Sequence, residues 1–527
     1  SASSEVRKHF SHDASILHLT PAVVVYPRNE NDVRKTSRFS WQLAERGRSF
    51  PVTARGGGSD TSGAAIGNGI LMVFTAHMNR ILSLDTKKSL VTVEPGLNID
   101  KLEQTLYTHG LFLPPYPASK HYATIGGAIS NNSHGEKSVK YGPMGEYIDK
   151  LRVVLANGEV IETGRLGKRE LNKKMGMSTF EGEIYRSIDG LIEENAGLIE
   201  EGKSMAKYKR NSAGYNIFNV RAKEGLDLTP LFIGSQGSLG IITEATLSLV
   251  PHNPLTHMAL VSLESLKDLH EVLPKIIELE PSILDMINKS AIQQISRLNP
   301  HQLKGLIDYP AAAIHLFVEF DDQKELVQKR HVKKLQKLVE KAGGQITTAH
   351  QLEDLEKIWK VRESVSTILQ HADGQSKAVP VAEDVSVPTG HLAEFLHKAA
   401  EIYSTAGLVG AAWGSAGDGI VRMQPVLDLG QIGDRQKLFK LADAIYELAV
   451  GMGGSITGSA GDGRVRAPYA AMQFGYELHA VMKQVKKIFD PYDILNSGVK
   501  TASKEDVKAL MRGDYNLAHR HEHLPRT

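Results

Sequence analysis

Cysteine is absent from the 527 residues. That excludes disulfides, cysteine-ligated iron–sulfur clusters, thiolate zinc sites and cofactor bonds to a cysteine sulfur. Any redox chemistry must use a bound organic cofactor or a metal held without thiolates. An excess of one charge is also missing. The 62 lysines and arginines stand against 60 acidic residues, so there is no field to draw nucleic acid or an acidic membrane. No apolar run approaches the roughly 18 to 20 residues that span a bilayer, and the opening SASSEVRKHFSHD has no hydrophobic signal core. The expectation is a soluble, cytoplasmic chain with no transmembrane segment and no nucleic-acid partner, peripheral contact with a membrane staying open.

Glycine is plentiful, at 48 residues, and a chain this long divides into two or more domains. The first quarter alternates strand and helix patterns. Val23 to Tyr26 is a β-branched run, PRNEND leads into a helix that Gly47 stops, and Ile70 to Phe74 and LVTVEPG read as strands. Asn98 caps a helix with Ile99, Leu102 and Leu106 on one face, and RVVLANGEVIETG is a hairpin around an Asn-Gly turn. Beyond Pro251 glycine thins out and longer elements follow: AAIHLFVEF, a charged helix ELVQKRHVKKLQKLVEKAGG, and a helix over 434–450. The tail AHRHEHLPRT reads as a terminal segment rather than a metal site.

Two glycine-rich loops carry the first functional signal. In Arg55-Gly56-Gly57-Gly58-Ser59-Asp60-Thr61-Ser62-Gly63, consecutive glycines let backbone N–H groups converge on one anion while hydroxyls add donors, which makes a phosphate cradle. The G-x-G-x-x-G spacing fails at Thr61, and Ala64 stands where a Walker lysine is required. The alternative is a flexible loop. The second loop, ATIGGAISNN followed by His134, Gly135 and Lys140-Tyr141-Gly142, suits close approach of backbone to a flat ligand, and GSQGSLGIITEA is a third such stretch.

The strings VTARGGGSDTSGAAIG, VTVEPG, ATIGGAISNN with KYG, GYNI, LFIGSQGSLGIITEATLSLVP and FDPYDILNSG follow one another along nearly the whole chain. Together they resemble the FAD-linked oxidases of the vanillyl-alcohol oxidase superfamily, most of all its D-lactate, glycolate and D-2-hydroxyglutarate dehydrogenase branch. The resemblance implies an α+β fold: a two-subdomain PCMH-type FAD-binding domain over 1–252, an inserted α+β cap for the substrate over 253–485, and a C-terminal segment, 486–527, returning to the first domain. It further implies FAD as cofactor. The pyrophosphate would lie on Arg55, Gly56, Gly57, Gly58, Ser59, Asp60, Thr61 and Ser62 and on Ala123, Thr124, Gly126, Gly127, Ser130 and Asn131. Pro117, Tyr141, Gly237, Gly240, Ile242 and Asn496 would complete the site. Ser59 replaces the histidine that bonds FAD in some relatives, so the expectation is non-covalent FAD. His134 replaces a glycine of the branch and stands either beside the flavin or as a structural turn residue.

GSAGDGIVR, residues 414–422, recurs as GSAGDGRVR, residues 458–466, with eight of nine positions identical. In the resembled branch these turns carry a divalent metal on histidines and a Glu-His pair. Here Ser415, Arg422, Ser459 and Ala460 occupy the ligand positions, so no metal site is expected. Two readings remain. Arg422 and Arg466 bind a carboxylate in place of the ion, with Asp418 and Asp462 as bases or orienters, or the aspartates cap turns and the arginines face water. The segment WKVRESVS resembles the branch's substrate-carboxylate helix, and its spacing of four puts Arg362 and Ser366 on one face. The branch's lysine before the next strand is replaced by Ala382.

The expected activity is metal-independent transfer of a hydride from a small anionic 2-hydroxy acid such as D-lactate to flavin N5. Alternatives are an FAD enzyme for a non-acid alcohol or sugar, or a flavin-binding protein without turnover. The electron acceptor, whether quinone, cytochrome, electron-transfer flavoprotein or oxygen, and the oligomeric state are not fixed by these residues.

Overall fold

The computed structural model describes residues 1–206, 210–222, 225–370, 372–373 and 375–513. The histidine-rich tail, and residues 514–527 of the expected segment 486–527, lie outside the described residues. No helix among the described residues is long and apolar enough to cross a membrane.

The first lobe holds two sheets. Val23–Val25 and Val52–Arg55 flank Ile70–Val73 in a parallel sheet. All four residues of that central strand are buried, as a strand covered on both faces requires. The second sheet is antiparallel and runs Ile81–Asp85, Leu90–Val93, Ile241–Ser248, Ile148–Val154, Val160–Glu162. Its central strand comes from the far end of the lobe. Thus the GSQGSLGII segment enters directly beside the hairpin, whose turn is set by Asn157 accepting from the Glu159 N–H and by Gly158 at φ +83°. Asn98 caps the helix Ile99–Tyr107 by accepting from the Lys101 N–H, and the buried residues of that helix are Ile99, Leu102 and Leu106.

The cap is a seven-stranded antiparallel sheet in the order Gln345–Ala349, His257–Leu263, Ile314–Phe320, Ile283–Asn288, Trp413–Ser415, Ile420–Arg422, Val385–Ser386. Alternation along His257–Leu263 divides it between two cores. Ala259, Val261 and Leu263 join the larger one with the helices Leu266–Ile277, Glu325–Lys341, Leu392–Thr405 and Ile432–Gly451, while Met258 and Leu260 join the smaller one with Ile292, Ile358 and Val361. Ile314–Phe320 is buried throughout, including its two polar members, His315 and Glu319.

The chain returns to the first lobe earlier than residue 486. Leu478, Val481, Met482 and Val485 of the helix Ala470–Phe489 share a core with Ile184, Tyr185 and Ile188 of Phe180–Glu194. Ile494 and Leu495 then pack beside Val52 in the small parallel-sheet core. The helix on either side of the expected boundary already carries the apolar stripe that fits the first lobe.

Candidate active site

A cavity of about 1000 Å³ separates the glycine loops of the first lobe from one end of the cap sheet. It stands at the top of the roughly 300–1000 Å³ range of ligand pockets. The two glycine loops form it by packing backbone against backbone. A Cβ on Gly56 would lie 2.1 Å from Thr124 Oγ1, and one on Gly57 would lie 2.0 Å from the Tyr122 carbonyl oxygen. No side chain fits at either place. Asp60 fastens the first loop internally, its Oδ2 accepting from the N–H groups of Ser62 (3.0 Å) and Ala64 (2.7 Å). Its Oδ1 accepts from Asn131 Nδ2 of the second loop at 3.3 Å. Arg55, at the strand end, donates from Nη1 to the carbonyls of His12 and Ala65, both at 2.9 Å, and Nη2 is buried without a partner. Burial pulls this guanidinium down to about 10, against the opposing charges of Asp13 and Asp60. A buried cation with an unused donor, beside a groove that only glycine permits, fits an anionic ligand.

Most of the cofactor residues expected from sequence border this cavity, but Ser62, Tyr141 and Asn496 do not. Each stands behind its wall. Ser62 Oγ donates to Asp60, Tyr141 Oη donates to Asp321 Oδ2 at 2.9 Å, and Asn496 Nδ2 donates to the carbonyls of Ala64 (2.8 Å) and Gln236 (2.7 Å). Ser62 and Asn496 position the loops, and Tyr141 ties the first lobe to the cap. Gln236 escaped the sequence reading although it joins three other segments: its Nε2 reaches Ser62 Oγ and Asn131 Oδ1, and its Oε1 accepts from the Gly463 N–H at 2.8 Å. The only hint was a bulky polar residue between glycines in GSQGS, and its backbone is left-handed at φ +54°.

In the cap half, Arg362 and Ser366 both border the cavity, but not as neighbours on one helix. Leu352–Glu363 ends after Arg362, and Ser366 opens a new helix, Ser366–Gln370. Arg362 is also already paired. It lies 2.6 Å from Glu136 Oε1 and 2.8 Å from Asp285 Oδ2, with Trp359 beneath its guanidinium. Burial opposes its charge, and the two carboxylates outweigh that and hold it protonated. Asp285 is pushed up to about 6 by burial, with Glu136 adding to the rise and Arg362 opposing it.

The repeated turns diverge in fold. The first copy is a hairpin that delivers Arg422 to the cavity; the second has no strand, and Arg466 is fully buried, donating to the Gly461 carbonyl at 2.8 Å. Neither aspartate borders the cavity. Asp418 Oδ1 accepts from Arg210 Nε at 2.7 Å, and Asp462 Oδ2 accepts from Lys500 Nζ at 3.0 Å and the Gly214 N–H at 2.7 Å. Asp462 and Arg466 are therefore framework, and Asp418 orients Arg210. The two copies still meet, because Arg422 Nη2 donates to Ser459 Oγ at 3.0 Å and lies 3.3 Å from Asp384 Oδ1. Burial alone would raise Asp384, but Arg422, Arg466 and the Ser459 hydrogen bonds hold it below its ordinary value. Both Arg422 contacts use Nη2. Among the described residues, no group of three or more His, Cys, Asp or Glu side chains is placed to hold a metal.

His134 borders the cavity between these halves. Its Nδ1 is 3.0 Å from the Asn132 carbonyl, which can only accept, so Nδ1 carries the hydrogen and Nε2 is a bare acceptor. Nε2 is buried and has no partner. Burial, reinforced by the Arg210 charge, pulls the imidazole down to about 4. The ring is neutral at physiological pH.

Comparison with known proteins agrees with this layout. Residues 21–164 match the model of an FAD binding domain, and residues 253–499 match that of the C-terminal domain of FAD linked oxidases. The chain is 30% identical to a D-2-hydroxyglutarate dehydrogenase of Escherichia coli, covering 96% of this chain and 50% of that protein. It is 29% identical to a glycolate oxidase subunit of Bacillus subtilis, covering 93% of this chain and 91% of that one. The chain thus spans about half the length of the D-2-hydroxyglutarate dehydrogenases it matches. Among solved structures, p-cresol methylhydroxylase with substrate bound superposes with a TM-score of 0.67 at 14% identity, over 96% of this chain and 94% of that one, a likeness of fold.

Proposed function

Because this chain belongs to the FAD-linked oxidases, carrying their FAD binding and C-terminal domains, we propose that it oxidises the CH–OH group of a small 2-hydroxy acid. The single observation that carries the reading is a neutral imidazole with an unpartnered nitrogen, His134, bordering the same cavity as a cap arginine, Arg422. FAD, when bound, supplies the two-electron acceptor for the C–H hydride. The glycine loops and Arg55 Nη2 suit its anionic pyrophosphate, and with Ser59 in the first loop and no cysteine in the chain, it is held non-covalently.

Arg422 binds the substrate carboxylate through Nε and Nη1, the nitrogens its protein contacts leave over. His134 Nε2 accepts the hydroxyl proton as the C–H bond breaks, so the alcohol becomes a ketone and the imidazole an imidazolium. Arg422 supplies the positive charge at turns that carry serine, alanine and arginine, and the reaction proceeds without a metal ion. Arg362 does not serve as the carboxylate clamp, since Glu136 and Asp285 already neutralise it.

The test is an anaerobic titration of chelator-treated holoprotein with D-lactate, D-2-hydroxyglutarate, glycolate and simple alditols, following the oxidised flavin band. A 2-hydroxy acid should bleach the band and alditols should leave it intact. Bleaching by alditols alone would transfer the assignment to non-acid alcohols, and a flavin that no compound reduces would make the protein a flavin carrier.

A further inference from the structure

Beside the Arg422 anchor lies a polar pair that the proposed reaction does not use. Glu383 and Gln424 both border the cavity and are 1% and 7% exposed. Gln424 Nε2 donates to Glu383 Oε2. That bond orients the amide, because turning it over would set two acceptor oxygens against each other. The result is two buried acceptors, Glu383 Oε1 and Gln424 Oε1, with no hydrogen-bond donor. Arg466 Nη2, 3.7 Å from Glu383 Oε1, balances the charge but stands beyond hydrogen-bond reach. Buried acceptors left without a donor are costly, so a pair of them on side chains that border a cavity is a place for a donor.

Gln424 follows Arg422 by two residues, with Met423 between them buried in the cap core. Alternation puts Arg422 and Gln424 on one side of the segment, about 7 Å apart at the ~3.3 Å rise of an extended chain. A molecule whose carboxylate lies on Arg422 therefore brings the far part of its chain to Glu383 and Gln424. A methyl group is too short to reach them, and a second carboxylate would set acceptor oxygens against acceptor oxygens. A hydroxyl donates to either oxygen, and two hydroxyls satisfy both.

Resting on the 2-hydroxy-acid reading, we propose that Glu383 and Gln424 form a distal subsite for hydroxyl groups, so that the preferred substrate is a polyhydroxylated 2-hydroxy acid of the sugar-acid class. Dicarboxylic 2-hydroxy acids are disfavoured at the same place.

The holoprotein is assayed by anaerobic flavin reduction with D-gluconate, D-lactate and D-2-hydroxyglutarate, and ligand binding is read separately from the perturbation of the oxidised flavin spectrum. D-Gluconate should show a KM at least tenfold below that of D-2-hydroxyglutarate. Glu383→Gln should raise the KM for D-gluconate about tenfold while leaving kcat/KM for D-lactate within twofold. Gln424→Met should act in the same direction, and thermal unfolding checks that both variants are folded. Equal or better use of D-2-hydroxyglutarate, or an equal effect of Glu383→Gln on D-lactate and D-gluconate, overturns the subsite. Should no acid reduce the flavin, the proposed reaction fails, while spectral binding of D-gluconate by wild type and not by Glu383→Gln still decides the subsite.

Discussion

The strongest prediction concerns the acid limb of the pH profile. A base that must be neutral loses activity as pH falls through its own pKa, and that of His134 is pulled down to about 4. At pH 5.5 about 97% of such a group is still neutral, whereas an unperturbed imidazole near 6.5 is only about 9% neutral. The first-order rate of anaerobic flavin reduction at low D-lactate should therefore change by less than twofold between pH 8 and pH 5.5. An ordinary histidine would lose about tenfold over the same interval. His134→Gln keeps a hydrogen-bonding side chain of similar length but removes the proton acceptor. It should cut the reduction rate by ~10²- to 10⁴-fold while leaving FAD bound. An acid limb between pH 6 and 7, or a His134→Gln protein that reduces its flavin at the wild-type rate, would falsify the assignment.

The same histidine carries a stability signature. Its folded pKa lies below the unfolded value, so its contribution is complete above pH 6.5 and is lost as pH falls toward 4. Urea unfolding of wild type should lose about 2 kcal/mol more between pH 7 and pH 5 than that of His134→Gln. Arg362→Ala strands Glu136 and Asp285 and should cost ~3 kcal/mol of stability. Arg422→Ala should raise the KM for D-lactate at least tenfold, and because it withdraws one of the two cations beside buried Asp384 it should also lower the melting temperature, so an Arg422→Ala protein with wild-type KM would remove Arg422 as the carboxylate anchor. Gly57→Ala, whose Cβ has only 2.0 Å to the Tyr122 carbonyl, should yield folded protein with a reduced flavin-to-protein ratio. Heat or acid denaturation should release the flavin of wild type into the supernatant, and flavin remaining with the precipitate would demonstrate a covalent link.

Local features were legible in the sequence because their causes are local. The Asn98 cap, the Asn157-Gly158 turn and the glycine cradle each need only the residues quoted for them. The pairing of charges was not, because it depends on which distant segments fold together. Spacing marked Arg362 as a free clamp, yet its partners come from the second glycine loop and from a cap strand. Asn496 and Ser62 carry polar groups in cofactor motifs, and only the fold shows that those groups are spent on other loops. Gln236 and Glu383 have no periodic or spaced signature at all. Burial without a full set of partners is a property of the assembled structure.

The repeated turn shows how far near-identity of sequence falls short of identity of structure. Gly419 and Gly463 both take positive φ, but the other two glycines do not correspond: Gly414 is at +144° where Gly458 is not in that region, and Gly461 is at +71° where Gly417 is not. The neighbours decide the difference. Ser415 pairs with Asp285 across the cap sheet, and Ile420 is a buried strand residue, so the first copy closes as a hairpin. The one differing position puts Arg464 in the second copy. Its guanidinium is buried, donating to the carbonyls of Gly63, Ile66 (2.9 Å) and Ser497 (2.6 Å). That side chain binds the second turn to the cofactor lobe and leaves its own arginine, Arg466, buried beside Glu383. One copy thus presents its arginine to the cavity, and the other fastens the cap to the first lobe. Because Arg422 rests on Ser459 of the second copy, the fastening also fixes the guanidinium that the proposed reaction uses as its anion anchor.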